Sequence, residues 1–182
     1  MTATFVIELD RITDDHGASL EVTGEMPLEE IVVGSERYEP VGPARIDVLV
    51  INTGTAYEAT GHAYAAVRAQ CSRCLRDFDL GLDGEVDAYF VEPGHADEVP
   101  EEQECALVDN GRLELGPFVE TALVVAIPFA PLHDPDCQGI CPTCGVDRNE
   151  ESCDCEAAPP EDSPFSALGE LLEGMDEEDG GL

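Results

Sequence analysis

Five cysteines late in the chain have the residue type and spacing of metal ligands. Cys137, Cys141, Cys144, Cys153 and Cys155 follow one another closely. Zinc takes four thiolate or imidazole ligands near tetrahedral positions, and a gap of two residues lets both cysteines of a tight turn reach one ion. The segment is polar and rich in glycine and proline, so we expect it to gain its order from the ion. The spacing therefore predicts a structural Zn2+ site.

Two cysteine pairs are the favoured ligands. Cys141 and Cys144 enclose Pro-Thr and precede a glycine. This is the composition of a zinc knuckle, because glycine lets the backbone turn its N–H groups toward sulfur. Cys153 and Cys155 can supply the second pair. Cys137 is then a spare thiol, or it exchanges with one member of that pair.

A closed zinc site is favoured over other metal chemistry. A catalytic zinc needs an open coordination position, and His133 and Asp134 are close in sequence, but five available thiols favour full coordination by the protein. Zinc is preferred to an iron–sulfur cluster because no apolar cradle surrounds the cysteines.

Cys71 and Cys74 form another pair with the same gap, and three interpretations stay open. The pair could form a zinc ribbon with Cys141 and Cys144. It could be a dithiol redox couple, although such couples usually open a helix whose N-terminus lowers the thiol pKa. It could also be a structural corner or a contact for a partner.

Hydrophobic alternation indicates the elements that position these residues. Side chains alternate along 55–70 as in a long half-buried strand, and they alternate again from Phe78 to Val91. These segments predict an antiparallel hairpin whose connection carries Cys71 and Cys74. Residues 14–43 mix turn signals with short apolar pieces. Further strands are predicted at 4–10, 44–53, 105–108 and 112–115.

The pattern predicts an α+β protein. From Pro117 the apolar period becomes helical and stops at Pro128, which predicts a helix near 117–127. The predicted fold is an antiparallel, barrel-like sheet with one central helix, a small C-terminal cysteine-rich zinc module and a short terminal helix. The predicted domains are a β domain with the helix at 1–130, a zinc-binding module at 131–156, and a linker, short amphipathic helix and acidic tail at 157–182.

The chain is strongly acidic, with 41 Asp and Glu against 8 Lys and Arg and a net charge of -33. A nucleic-acid binder normally presents a basic face. Here Arg68, Arg73 and Arg76 are the main basic cluster of the sequence, so they are the candidate contacts for RNA or a partner. A basic protein, or RNA contacted within a larger assembly, fits the charge better. A halophilic or genome-wide acidic bias would explain the same composition.

Other features narrow the class of protein. No apolar run is long enough to span a membrane, and the first residues lack a basic region followed by an apolar stretch, so we expect a cytoplasmic protein. That compartment argues against disulfides among the eight cysteines. The histidines are scattered, and phosphate-loop, nucleophile-elbow and metalloprotease motifs are absent from the sequence. We therefore expect neither an enzyme nor a small-molecule substrate.

Several short motifs together point to a family. In order they are Cys71-Ser-Arg-Cys74-Leu75, Leu113-Glu-Leu115, Glu120-Thr-Ala-Leu123, Ala126-Ile-Pro128, Cys137-x3-Cys141-Pro-x-Cys144-Gly145 and Ser163-Pro164-Phe165. This order resembles the YceD family, whose members are called large ribosomal RNA subunit accumulation proteins.

The resemblance implies a role in the maturation or accumulation of large-subunit ribosomal RNA, without established catalysis. Genes of the family commonly adjoin the gene of a small zinc-binding ribosomal protein. The implied partner is therefore a basic ribosomal protein, pre-ribosomal RNA, or both, within a large-subunit precursor. One alternative is a thiol oxidoreductase or metal-handling protein that uses Cys71 and Cys74. Another is a generic adaptor whose zinc module only stabilises the fold.

Overall fold

The computed structural model describes residues 4–95 and 105–155. The chain divides into two compact units between Cys137 and Gln138. Among the described residues, the first unit contains all the strands and the helix. The described part of the second unit consists of turns and an isolated bridge between Ile140 and Asp147. The short helix predicted within 157–182 lies outside the described residues.

Most strands belong to one largely antiparallel sheet. The elements are β1 (Val6–Glu8), β2 (Ser19–Met26), β3 (Ile31–Val33), β4 (Glu36–Pro40), β5 (Ala44–Asn52), β6 (Ala56–Gln70), β7 (Asp77–Val91), β8 (Ala106–Leu107), β9 (Arg112–Glu114) and α1 (Gly116–Ala126). On one side β6 pairs with β5 and then with β4, and on the other side it pairs with β7. The strands β2, β3 and β8 extend this sheet, while β1 and β9 form a separate pair.

β6 and β7 form the long hairpin that the alternation predicts. Their register runs from Ala56 opposite Val91 to Gln70 opposite Asp77. Buried side chains alternate with exposed ones along most of both strands. The connection that follows Gln70 carries the cysteine pair.

The sheet is open, so the predicted barrel-like closure is wrong. One outer strand is β2, which pairs with β5, and the other side ends at β7 and the two residues of β8. The helix α1 packs against β7 and β6. Over β7 and β6 the apolar face is therefore covered by α1, so this part of the sheet is buried without closure into a barrel.

The helix predicted near 117–127 is confirmed as α1. Pro117 lies in its first turn, where a missing N–H costs no helical hydrogen bond. Ile127 is extended (φ -69°, ψ 120°) because it precedes Pro128. Val119 and Leu123 are fully buried against the sheet. Within the described ranges, no helix has the length and apolar character needed to cross a membrane.

Gly84 marks the closest approach of β7 and α1. A Cβ atom at Gly84 would lie 2.6 Å from the carbonyl of Ala122 and 3.0 Å from the backbone nitrogen of Leu123. Helix backbone cannot move aside as a flexible side chain can. Gly84→Ala is therefore expected to lower the free energy of unfolding by about 2 kcal/mol in urea denaturation.

Gly81→Ala is the matched control. Gly81 lies on the same strand and is exposed, and a Cβ there would have nothing within 4 Å. We expect it to change the free energy of unfolding by less than about 0.5 kcal/mol. If Gly84→Ala were as stable as Gly81→Ala, the close packing of α1 on β7 would be contradicted.

Candidate metal centres

The turn between β6 and β7 meets the segment after α1 at three cysteines and one histidine. We call this group, Cys71, Cys74, His133 and Cys137, the hairpin cluster. Its four ligand atoms lie within 4.8 Å of one another. The Sγ atoms of Cys71 and Cys137 are 3.8 Å apart, and Sγ of Cys74 is 3.4 Å from Nδ1 of His133. The thiols are buried and the imidazole is half-buried, so soft donors face one enclosed point.

Backbone hydrogen bonds hold the first two cysteines of this cluster in a tight turn. The N–H of Cys71 donates to the carbonyl of Arg76 (2.8 Å), and the N–H of Leu75 donates to the carbonyl of Cys71 (2.9 Å). Leu75 has a φ of 60°. This left-handed conformation costs a residue other than glycine about 1 kcal/mol or more. The Leu75 residue is 57% exposed, so burial of its side chain does little to offset that cost.

Two further hydrogen bonds fasten the segment after α1 to this turn. The N–H of Ser72 donates to the carbonyl of Pro131 (2.9 Å). Nη1 of Arg73 donates to the carbonyl of Cys137 (2.9 Å). These bonds hold the later two ligands of the hairpin cluster opposite the earlier two.

Ionisation is unequal within the hairpin cluster. Burial opposes ionisation of Cys71, but the imidazole and backbone N–H of His133, with backbone N–H groups of the turn, outweigh it and lower its pKa to about 5. Burial raises the pKa of Cys74, and the charge on Cys71 raises it further. The thiolate of Cys71 thus forms readily, whereas ionising Cys74 as well calls for a bound cation.

Four more cysteines gather in the second unit. We call Cys141, Cys144, Cys153 and Cys155 the C-terminal cluster, and their Sγ atoms lie within 4.8 Å of one another. The first is buried, the second is exposed and the last two are half-buried. Nη2 of Arg148 lies 3.8 Å from Sγ of Cys141. A guanidinium in this place balances part of the thiolate charge.

The turn in the C-terminal cluster has the same backbone as the turn in the hairpin cluster. The N–H of Cys141 donates to the carbonyl of Val146 (2.8 Å), and the N–H of Gly145 donates to the carbonyl of Cys141 (2.9 Å). These two bonds join the same relative positions as those around Cys71. Gly145 has a φ of 76°, where the other turn has Leu75 at 60°. The two cysteine pairs therefore share one knuckle conformation.

Ionisation is also unequal within the C-terminal cluster. The backbone N–H groups of Cys144 and Thr143 lower the pKa of Cys141 to about 5. A hydrogen bond with Cys144, together with burial, raises the pKa of Cys155 to about 12. A cation bound here would therefore displace the proton of Cys155.

The structure divides the predicted cysteines between two groups. The two favoured pairs form the C-terminal cluster. Cys137, which the spacing leaves spare, lies instead with Cys71 and Cys74 in the hairpin cluster. The structure thus groups Cys71 and Cys74 with His133, which the sequence argument had not counted among the ligands. The spacing His133-x3-Cys137 could have pointed to it, since ligand pairs separated by three residues are common in zinc sites.

Two of the three candidate contact arginines use their side chains within the protein. Nε of Arg68 lies 3.3 Å from Oδ1 of Asp79. Arg73 donates to the carbonyl of Cys137, as described above. The carbonyl of Arg76 accepts from Cys71 within the turn. Because the side chains of Arg68 and Arg73 already have partners in the protein, a basic patch that binds RNA through all three arginines is less favoured.

A sequence model of the family described as large ribosomal RNA subunit accumulation protein YceD matches residues 59–172. The match covers more than half of the chain, and both cysteine clusters fall inside it.

Relatives of the chain include three mycobacterial proteins that are described as uncharacterized. One from Mycobacterium tuberculosis and one from Mycobacterium bovis are each 31% identical over 102 residues, which is 56% of this chain and 49% of the relative. One from Mycobacterium leprae is 27% identical over 105 residues, 57% of this chain and 48% of the relative. The chain spans about half the length of these relatives. The comparison with solved structures gave no match.

Proposed function

The chain belongs to the YceD family, the large ribosomal RNA subunit accumulation proteins, and from this membership we propose that it supports the accumulation or maturation of large-subunit ribosomal RNA. The family match over residues 59–172 is the observation that carries the proposal. The protein acts in this proposal as a non-catalytic ribosome-biogenesis factor of the cytoplasm.

The chemistry of the two cysteine clusters supports a non-catalytic role. Each cluster offers four protein ligands to one point. Four protein ligands complete a tetrahedral coordination sphere, whereas a catalytic zinc keeps one position for water or substrate. For the C-terminal cluster, four thiolates favour Zn2+ as the ion.

The surface charge of β7 supports a basic protein as partner. Five acidic side chains occupy exposed positions on one face of this strand; we call Asp77, Asp79, Asp83, Glu85 and Asp87 the acidic stripe. Successive positions on one face of a strand are about 6.7 Å apart. Gly81 separates the first two members of the stripe from the last three. Arg68 is paired with Asp79 and His62 contacts Asp83, so the stripe is a row of negative charge that is compensated in part. We propose that it engages a basic ribosomal protein within a large-subunit precursor, which favours that partner over direct contact with pre-ribosomal RNA.

The ribosomal role is tested in cells that lack the protein. We expect large-subunit rRNA precursors to accumulate and the mature large-subunit rRNA to fall relative to small-subunit rRNA from the same cells. A gene copy encoding the wild-type chain should restore the ratio. Unchanged precursor and mature large-subunit rRNA would contradict the proposal.

The pKa and the burial of the cysteines in the hairpin cluster also test the alternative role as a thiol oxidoreductase. The lowered pKa of Cys71 would favour attack on a disulfide. However, Cys71 is fully buried and Cys74 is 7% exposed, so a disulfide substrate cannot reach either sulfur in the folded protein. Rapid alkylation of this pair at neutral pH in the metal-loaded protein would favour the oxidoreductase, and slow alkylation would count against it.

A further inference from the structure

We propose that the hairpin cluster is a second metal site, which holds zinc through Cys71, Cys74, His133 and Cys137 and ties the segment after α1 to the turn between β6 and β7. It is separate from the site proposed for the C-terminal cluster, because all of its ligands belong to the first unit.

The distances in the hairpin cluster are those of ligands around one ion. Tetrahedral zinc, with bonds of about 2.3 Å to sulfur and about 2.05 Å to nitrogen, places two sulfurs about 3.8 Å apart and a sulfur and a nitrogen about 3.6 Å apart. Here Sγ of Cys71 and Sγ of Cys137 are 3.8 Å apart, and Sγ of Cys74 lies 3.4 Å from Nδ1 of His133. A disulfide would bring two sulfurs to about 2.05 Å. The geometry therefore fits an ion and does not fit a disulfide.

The backbone around Cys71 provides an independent reason. It repeats both hydrogen bonds of the knuckle at Cys141, although it has Leu75 where the other turn has a glycine. A left-handed residue other than glycine persists where the surroundings hold it in place. Since Leu75 is exposed, side-chain packing does not supply that hold, whereas an ion between the turn and the segment after α1 would.

The donor set selects zinc and a closed site. Three thiolates and one imidazole form a common structural zinc set, while magnesium and calcium prefer oxygen ligands. Cys71, Cys74 and Cys137 are 0%, 7% and 3% exposed, so the sulfurs are shielded from solvent. All four ligands come from the protein, which leaves no position for a substrate.

The proposed ion would fix a part of the chain that has little regular structure. Residues 127–137 follow α1 without helix or strand, and their two ligands lie far in sequence from the turn that they meet. Ser72 and Arg73 add hydrogen bonds at the same junction. In such a segment, the free energy of metal binding also serves to order the backbone.

Metal content of the full chain tests the second site. We expect two zinc ions per chain in the wild type, one in Cys71→Ser/Cys74→Ser and one in Cys141→Ser/Cys144→Ser. His133→Asn should release one ion to a competing chelator at least about a hundredfold more readily, whereas His16→Asn, at an exposed histidine outside both clusters, should not. A single ion in the wild type, retained in Cys71→Ser/Cys74→Ser, would overturn the proposal.

X-ray absorption spectroscopy on the folded wild type tests the second site without relying on the variants to fold. Two occupied sites share seven sulfur ligands and one nitrogen ligand, whereas the C-terminal cluster alone supplies four sulfurs and no nitrogen. A pure four-sulfur environment, or one zinc ion together with a Cys71–Cys137 disulfide, would refute the second site. Metal content and X-ray absorption report only on the bound metal and its ligands, so their outcome is independent of the proposed ribosomal role.

Discussion

Replacing both Cys141 and Cys144 by serine is expected to remove the proposed zinc ion from the C-terminal cluster and to leave residues 138–155 without fixed structure. Among these residues only Gly139 and Cys141 are buried, so the segment has almost no apolar core. Structural zinc in small modules contributes about 10–16 kcal/mol of apparent binding free energy, and this energy is also their folding free energy. Without the ion, little remains to offset the conformational entropy of the segment.

Amide hydrogen exchange is the measurement for this prediction. The N–H of Arg148, which donates to the carbonyl of Gly139 (2.9 Å), and the N–H of Gly145 are held in turns within the segment. In the double variant we expect both amides to exchange at least about a hundredfold faster. Amides of β6 and β7 should keep their protection, because their hydrogen bonds belong to the first unit.

Cys105→Ser is the matched control for the loss of a thiol. Cys105 is exposed and belongs to neither cluster. It should leave both the metal content and the exchange rates unchanged. If the double variant kept its ion, or lost it while Arg148 and Gly145 stayed protected, zinc would not be what orders this segment.

The central strands and the helix could be predicted because local pattern determines them. Along β6 and β7 the alternation of buried and exposed side chains follows the two-residue period of a strand, and Pro117 and Pro128 bound α1. The strand β2 is different. Its side chains are mostly half-buried or exposed, and Gly24 interrupts the run, so its place depends on pairing with β5. Whether α1 or further strands cover the sheet also depends on tertiary packing. Local sequence patterns do not determine that packing, and the barrel prediction was wrong for this reason.

The same distinction between local and tertiary signals applies to the candidate metal ligands. Cys141 and Cys144 share one turn, and the knuckle pattern is visible in four residues and a glycine. The hairpin cluster joins ligands from two distant segments, and the sequence does not show that the β6–β7 turn would meet the segment after α1. The turn at Cys71 was also hard to predict as a zinc knuckle. Its left-handed position is occupied by Leu75, and leucine, unlike glycine, does not indicate a positive φ.

Neutralising part of the acidic stripe is expected to weaken binding to the proposed partner, a basic ribosomal protein, by about tenfold. Asp83→Asn, Glu85→Gln and Asp87→Asn remove three exposed charges from one face of β7. Exposed ion pairs contribute about 0.2–1 kcal/mol each, so three of them amount to about 1.5 kcal/mol, and 1.4 kcal/mol is a factor of ten. Most of the loss should appear in the association rate, and the dependence of that rate on salt should become shallower.

A control variant with the same change in net charge distinguishes a local effect of the acidic stripe from an effect of the overall charge. Asp10→Asn, Asp14→Asn and Asp15→Asn also remove three exposed carboxylates, from the connection between β1 and β2. If the stripe forms the contact, titration calorimetry and stopped-flow binding should show the loss in the β7 variant, while the control binds nearly as the wild type does. Equal weakening of both variants would contradict the stripe, because it would assign the attraction to the overall charge of -33 and make that charge a general bias of the chain.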